Sequence, residues 1–238
     1  MLNRFLRRAQ RLAAGALAAA NLPRPPRRPE TLTPGDWGYL KAHLRWHILR
    51  GMRKAGVPAL SIALVDDQQL VWAEGFGVAD RERRVPATPE TVYQVGSITK
   101  IVSTLAVMQL AEQGRMDLDR PITDYLPEFC MRTRWPQAAP ITPRALLCHH
   151  AGLPTYLLKG FFSDRSLTDL LHELRDEHLA FEPHTLFNYS NLGYNLLGLA
   201  VERITGRPYA EAMQQQLLAP LGMRHTGFEP DGEIGARL

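Results

Sequence analysis

A serine and a lysine three residues apart are the strongest candidates for chemistry in this sequence. They stand as Ser97-Ile-Thr-Lys100, directly after Gly96 and at the start of a predicted apolar helix. A serine hydroxyl is a weak nucleophile until a base takes its proton. Residues i and i+3 of a helix face each other, so the Lys100 amine can lie beside the Ser97 oxygen. The pattern fits nucleophilic catalysis with Ser97 as the nucleophile and Lys100 as its base.

The predicted helix would assist this chemistry. An amine in apolar surroundings gives up its charge more readily, and a base must be neutral when it accepts a proton. The helix N-terminus also offers partial positive charge and backbone N–H groups, which suit an oxyanion. The alternative makes Ser97 a helix N-cap and Lys100 a solvated residue of the first turn. The four-residue pattern taken alone favours this alternative.

A tyrosine and an asparagine two residues apart precede a second apolar helix. They stand as Tyr189-Ser-Asn191. Side chains at i and i+2 of an extended segment point the same way. The Tyr189 hydroxyl could then relay a proton while the Asn191 carboxamide orients an amide substrate. The alternative is a buried Tyr189 with Asn191 as the helix N-cap, and the pair taken alone favours it.

The remaining motifs carry weaker signals. His43 and His47 have i, i+4 spacing without the glutamate of a HExxH zinc site, and His149-His150 has no third ligand nearby. The two cysteines lack the paired spacing of a zinc site. No G-x-S-x-G segment is present, which argues against an α/β-hydrolase. We therefore predict neither a metal nor an organic cofactor.

The elements that must position these residues form one hairpin followed mainly by helices. Helical spacing of apolar residues predicts a helix from Trp37 to Met52, and alternation around a DDQQ turn predicts a hairpin over residues 60–76. A helix over residues 98–113 is apolar on most faces and should be buried. Further helices are predicted over residues 166–179, 192–204 and 209–218. This order indicates an α+β fold, whose two hairpin strands need partner strands from elsewhere.

Five segments, in collinear order over residues 57–228, together resemble a known family. They are VPALSIALVDDQQLVWAEGFGVAD, YQVGSITK, LLCHHAGLP, FNYSNLGYNLLGLAVERITGRPY and APLGMRHTGF. They resemble the serine β-lactamase and penicillin-binding protein superfamily, and within it the branch of class C β-lactamases, DD-carboxypeptidases and related esterases. Their joint occurrence is far more specific than the S-x-x-K pattern alone.

The resemblance implies an α+β fold of the β-lactamase/DD-peptidase type, with an antiparallel sheet flanked by helices and a mostly helical region. It also implies a serine hydrolase that forms an acyl-enzyme with β-lactam, D-Ala-peptide or small ester substrates. Ser97 would be the acylated nucleophile, with its backbone N–H as one oxyanion donor, and Lys100 would be the general base. Tyr189 would share proton transfer and activate the deacylating water, and Asn191 would hydrogen-bond the substrate amide.

The sequence departs from this family around two of the matched segments. Cys148, His150 and Ala151 replace the usual small hydroxyl residues beside His149, whose role in the resemblance is structural. His184 stands where a glycine usually precedes the Y-x-N segment. These changes could reshape the rim of the site, but they leave the reacting groups intact.

A third family motif, K-T-G or H-x-G on a strand of the central sheet, is not identified over residues 191–238, where the one H-x-G string, His225-Thr226-Gly227, belongs to the matched segment APLGMRHTGF. That strand would supply a second oxyanion N–H and line the substrate carboxylate pocket. We therefore expect residues 37–238 to be a partial domain from a truncated reading frame, without the C-terminal sheet strands. A hairpin edge and one face of the buried helix would then be uncovered. The alternative function is a non-catalytic penicillin-binding-like module or gene remnant with a binding role only.

The N-terminal region carries most of the positive charge. Residues 1–30 hold seven of the 28 basic residues and one of the 24 acidic ones, so residues 31–238 carry 21 basic and 23 acidic side chains. A nucleic-acid-binding protein would carry its basic surface on the folded body. We therefore predict no nucleic-acid partner, whereas a small-molecule or peptide substrate is what the resemblance implies, and the oligomeric state is left open.

The first 36 residues read as a targeting segment and a linker. Four arginines precede a short Ala-rich apolar run over residues 12–20. This order predicts either a signal peptide over residues 1–22, and hence export, or a basic segment that contacts a membrane surface. Residues 23–36 contain five prolines and are predicted to be an extended linker.

Overall fold

The computed structural model describes residues 24–155 and 167–228. The predicted signal or surface segment, residues 1–22, lies outside this part of the chain. Residues 24–37 contain neither helix nor strand. Within the two described ranges, no helix is long and apolar enough to cross a membrane. The chain divides into two compact units, the first with residues 24–93 and the second with residues 94–155 and 167–228.

The first unit contains the predicted helix and hairpin. Its elements are α1 (Gly38–Ala55), β1 (Ala59–Asp66), β2 (Gln69–Asp80) and β3 (Val85–Pro86). The strands form an antiparallel sheet in the order β1-β2-β3. Asp67 and Gln68 both have positive φ, which matches the twist of a two-residue hairpin turn. The short β3 covers one edge of the hairpin, and no strand in the described residues pairs with the other edge.

One glycine lets the hairpin and the loop before it approach closely. Gly77 on β2 has φ of +80°, and a Cβ built there would lie 2.1 Å from the carbonyl oxygen of Pro58. Only a residue without a side chain fits both the conformation and the space. The Val78 N–H donates to the same Pro58 oxygen at 2.8 Å, so the close approach forms part of the backbone pairing.

The second unit is helical and is built around one central helix. Its helices are α2 (Thr99–Glu112), α3 (Pro143–Leu147), α4 (Leu167–Leu174), α5 (Asn191–Thr205) and α6 (Tyr209–Met213), with a π-helical turn at Gln214–Leu218. Four leucines and a valine of α5 are buried. They pack in one cluster with Val107 and Leu110 of α2 and Leu146 of α3. This packing fixes the start of α2 relative to the start of α5, where the candidate residues lie.

The charged helix predicted over residues 166–179 ends earlier than expected, at Leu174. The prediction was wrong about its last turn, because the chain there pairs with another segment. The Arg132 N–H donates to the Glu177 carbonyl at 2.8 Å, and the Leu179 N–H donates to the Arg132 carbonyl at 2.9 Å. An ion pair between Arg132 and Asp176, 2.7 Å long, lies beside these bonds. Tertiary pairing thus overrides a helical pattern that is local.

Helix α2 is buried on one face only. Ser103, Ala106, Val107 and Leu110 are buried, while three large apolar side chains of the same helix are exposed. Their exposed fractions are 62% for Ile101, 46% for Leu105 and 45% for Met108. The prediction that this helix is buried on most faces is therefore wrong for the described residues.

Candidate active site

Ser97 lies in a short 3-10 turn, Gly96–Ile98, that leads directly into α2. Gly96 has φ of +53°, a left-handed conformation that suits a glycine. The turn leaves Ser97 exposed to solvent. The N-cap alternative for Ser97 is wrong, because α2 begins at Thr99 and no side chain caps its N-terminus. The Ser97 hydroxyl is therefore available for other contacts.

The structure brings all four predicted site residues together. The Ser97 Oγ and the Tyr189 Oη are 2.7 Å apart, although the two residues are 92 positions apart in the chain. The Lys100 Nζ donates to Ser97 Oγ over a long 3.4 Å contact, and to Asn191 Oδ1 at 2.6 Å. The hydroxyl, the amine, the phenol and the carboxamide thus form one connected group on the second unit.

Ser190, between Tyr189 and Asn191, is the residue that caps α5. Its Oγ accepts a hydrogen bond from the Gly193 N–H at 3.1 Å and donates one to the Pro154 carbonyl at 2.7 Å. The N-cap alternative for Asn191 is therefore wrong. Because Ser190 takes the cap, the carboxamide of Asn191 can face Lys100. Ser190 was not predicted as the cap from the sequence, although serine directly before an apolar helix is a typical cap signal.

The Nζ atom of Lys100 lies close to two aromatic rings. Its Nζ is 4.9 Å from the centroid of the Tyr189 ring and 5.3 Å from that of the Tyr194 ring. At this distance an aromatic face attracts a cation. Tyr194 is also held in place, because its hydroxyl donates to the Leu147 carbonyl at 3.2 Å. Tyr194 is three residues after Asn191, on the same face of α5, and that spacing is the signal that could have identified it.

The electrostatic setting of Tyr189 favours its deprotonated form. Hydrogen bonding to Lys100, and then to Ser97, lowers the pKa of the Tyr189 hydroxyl below its ordinary value of 10.0, and the charge of Lys100 acts in the same direction. Partial burial opposes this shift. A phenol with a lowered pKa exchanges protons more readily near neutral pH.

The His149 side chain packs against Tyr189, with the two ring centroids 4.5 Å apart. Its backbone has φ of +59°, and its Nδ1 faces the Ser190 N–H at 3.1 Å, so that Nδ1 accepts this hydrogen bond. Desolvation, followed by the charges of Lys100 and His150, lowers the pKa of His149 below its ordinary value of 6.5. His149 is therefore neutral at pH 7.

The other candidates from the sequence form no site in the described part of the chain. His43 and His47 stack along α1 with ring centroids 6.5 Å apart. Within residues 24–155 and 167–228, no group of three His, Cys, Asp or Glu side chains could hold a metal ion. Cys130 and Cys148 are free and exposed.

The Beta-lactamase family model matches residues 44–238, which is most of the chain. The chain belongs to the Beta-lactamase family. It is 31% identical to Protein flp of Staphylococcus aureus over 181 residues, covering 75% of this chain and 36% of that protein. It is 34% identical to Esterase EstB of Burkholderia gladioli over 194 residues, covering 76% of this chain and 48% of that protein.

A solved structure shows the same fold. The octameric penicillin-binding protein homologue from Pyrococcus abyssi superposes with a TM-score of 0.66 at 32% identity, over 79% of this chain and 44% of that one. The resemblance stated from the motifs and the α+β fold of the β-lactamase/DD-peptidase type are thereby confirmed. The chain spans between about a third and a half of the length of these relatives.

The setting of His149 predicts a pH-dependent stability in this Beta-lactamase-family chain. Lys100, His150, Tyr189 and Tyr194 surround the imidazole. In the unfolded chain His149 has its ordinary pKa, so as the pH falls below 6.5 the unfolded state takes up the proton first. We expect wild-type stability to fall more than that of the His149→Asn variant between pH 7 and pH 5. Urea denaturation midpoints at both pH values measure this difference.

The control is the same comparison of the two proteins' stability at higher pH. Between pH 7.5 and pH 8.5, His149 is neutral in both the folded and unfolded states, so the gap between the two proteins should stay constant. Equal loss of stability in both proteins between pH 7 and pH 5 would contradict the placement of a neutral His149 in the folded state.

Proposed function

We propose that this chain is part of a serine hydrolase that works through an acyl-enzyme on Ser97. The observation that carries the proposal is the pair of contacts made by the Ser97 Oγ. This oxygen lies 2.7 Å from the Tyr189 Oη and 3.4 Å from the Lys100 Nζ. A serine hydroxyl next to two groups that exchange protons is the arrangement that activates a nucleophile. Membership of the Beta-lactamase family supports the same class of chemistry.

Acylation begins when the Lys100 amine takes the Ser97 proton, either directly or through the Tyr189 hydroxyl. The Ser97 Oγ then forms a bond to the substrate carbonyl carbon, and the carbonyl π electrons move to its oxygen. The backbone N–H of Ser97 donates to this oxyanion. When the intermediate collapses, the bond to the leaving group breaks, and the proton held on Lys100 and Tyr189 passes to the departing oxygen or nitrogen.

In deacylation, a water molecule is the nucleophile and the Ser97 Oγ is the leaving group. Tyr189, whose lowered pKa favours the phenolate, takes a proton from a water molecule. The resulting hydroxide adds to the ester carbonyl of the acyl-enzyme, the bond from the carbonyl carbon to the Ser97 Oγ breaks, and Tyr189 returns the proton to that oxygen. The product is a carboxylic acid, and the steps use protein groups and water alone.

In this proposal Asn191 holds the substrate, in addition to its hydrogen bond with Lys100. Its Oδ1 is occupied by Lys100 at 2.6 Å. That bond orients the carboxamide and leaves its nitrogen as a donor toward a substrate carbonyl. A substrate with an amide beside the scissile bond would be held in this way.

The substrate class proposed is a β-lactam, a D-Ala-terminated peptide or a small ester. The relatives support this range by name, since one is an esterase and another is a penicillin-binding protein homologue. All three substrate types present a carbonyl carbon with a leaving group, which is what the Ser97 nucleophile requires. We also propose that residues 1–22 either direct export as a signal peptide or contact a membrane surface, on the basis of their arginines and short apolar run.

The test is to incubate the purified chain separately with benzylpenicillin, with p-nitrophenyl acetate and with a D-Ala-D-Ala peptide. The mass of the acid-quenched protein is measured by intact-protein mass spectrometry, and turnover is measured in parallel. We expect the mass of one acyl group on the protein with at least one of the three probes, together with multiple turnover. An adduct without turnover would show acylation without hydrolysis and contradict the hydrolase, and no adduct with any probe would contradict the Ser97 acyl-enzyme and favour the module with a binding role only.

A further inference from the structure

His149 contacts the segment that carries Tyr189 at three points. Its carbonyl oxygen accepts a hydrogen bond from the Asn188 N–H at 2.8 Å, and its Nδ1 accepts one from the Ser190 N–H at 3.1 Å. These are the two residues that flank Tyr189 in sequence. Its ring lies 4.5 Å from the ring of Tyr189. One residue therefore fixes the backbone on both sides of Tyr189 and one face of its side chain.

The conformation of His149 is itself unusual. A φ of +59° is unfavourable for a residue with a side chain. Backbone bonds hold it there, with the His149 N–H donating to the Leu146 carbonyl at 3.2 Å and the His150 N–H donating to that of Ala145 at 2.8 Å. The left-handed turn points both the carbonyl and the ring of His149 toward the segment of residues 188–190.

The hydrogen bond from Ser190 determines the protonation state of the ring. A backbone N–H can only donate, so the Nδ1 of His149 must carry a lone pair and the proton must lie on Nε2. An imidazolium would place a second N–H against that of Ser190 and break the contact. The nearby Lys100 and the partial burial of the ring both disfavour that cation.

We propose that neutral His149 is a positioning residue that holds the Tyr189 hydroxyl at the Ser97 oxygen. This role rests on the proposed function, because it has consequences for catalysis only if Tyr189 transfers protons in the reaction. Without the His149 imidazole, the hydrogen bond from the Ser190 N–H and the contact between the His149 and Tyr189 rings are lost, and the 2.7 Å contact between Tyr189 and Ser97 lengthens or becomes intermittent. The expected consequence is slower acylation with little change in substrate affinity.

The test compares acylation by p-nitrophenyl acetate, followed by stopped flow, in four variants and the wild type. They are His149→Phe, His149→Asn, Tyr189→Phe and the double variant His149→Phe with Tyr189→Phe. We expect His149→Phe to slow acylation by about 10- to 100-fold with an unchanged substrate dissociation constant. Asparagine tolerates positive φ and offers an oxygen acceptor to the Ser190 N–H, so His149→Asn should recover part of the loss.

The double variant separates positioning from a general effect on folding. If His149 acts through the Tyr189 hydroxyl, His149→Phe changes the rate by less than about two-fold in the Tyr189→Phe background. The same penalty in both backgrounds would overturn the proposal, as would a His149→Asn variant as slow as His149→Phe. Rates are compared at equal folded fractions, determined by thermal denaturation.

A measurement on the wild type keeps the proposal testable if a variant does not fold. In the ¹⁵N-histidine spectrum at pH 7, His149 should show an unprotonated Nδ1 and a protonated Nε2, the signal being assigned by its loss in His149→Asn or by backbone connectivity. A protonated Nδ1 would overturn the inference. A wild type that forms no acyl-enzyme would instead contradict the proposed function, and the spectrum distinguishes these two failures.

Discussion

Replacing Ser97 with alanine abolishes covalent labelling of the chain by penicillin or activated ester. The variant lacks the only atom that can form the acyl bond in the proposed mechanism. Hydrolysis falls by about 10⁴-fold or more, because the remaining groups can bind and polarise a substrate but cannot form the intermediate. We therefore expect no adduct mass on the variant and a large fall in the hydrolysis rate. Intact-protein mass spectrometry measures the adduct, and turnover assays measure the rate.

The matched control for this substitution is Thr99→Ala, which removes a hydroxyl two residues further along the chain, at the first residue of α2. Thr99 makes no side-chain contact with the Tyr189, Lys100 and Asn191 cluster in the described hydrogen bonds. We expect it to label like the wild type. Labelling of Ser97→Ala to the wild-type level would show that the acyl group is carried elsewhere.

Substitution of Lys100 tests the general base. Lys100→Met has a similar length but no amine, and Lys100→Arg keeps the positive charge on a guanidinium that does not deprotonate in proteins. In both variants the Ser97 proton has no acceptor amine, so the acylation rate falls by about 10²- to 10⁴-fold. Burst kinetics with p-nitrophenyl acetate measure this rate directly.

The pair of variants also separates charge from proton transfer. If Lys100 served only as a cation between the rings of Tyr189 and Tyr194, arginine would substitute for it and methionine would not. The control is Lys54→Arg, on an exposed position of α1, which should retain the wild-type rate. An acylation rate within a few-fold of wild type in Lys100→Met would contradict the role of base.

Much of this architecture is encoded locally and could be predicted from the sequence. Apolar residues at helical spacing predict α1, α2 and α5, and the DDQQ turn predicts the hairpin, because these patterns depend on neighbouring residues. The contact of Ser97 with Lys100 follows from i, i+3 spacing at the start of α2. The meeting of these two with Tyr189 and Asn191 followed only from the family resemblance.

The remaining features depend on contacts between distant segments. The early end of the charged helix at Leu174 results from pairing with Arg132, more than 40 residues away. The role of His149 likewise depends on its φ of +59° and on the two hydrogen bonds that it accepts from the backbone N–H groups of residues 188 and 190. No periodicity or propensity of the local sequence contains this information, since tertiary packing selects the partner.

The most direct test of the central claim is to locate the acyl group on the chain. After a short incubation with the probe that gives the strongest adduct, the acid-quenched protein is digested with trypsin, which releases residues 85–100 as one peptide, VPATPETVYQVGSITK. Fragmentation of this peptide should place the acyl group on Ser97. An acyl group on Thr99, on Tyr189 or in any other peptide, with Ser97 unmodified, would contradict the account.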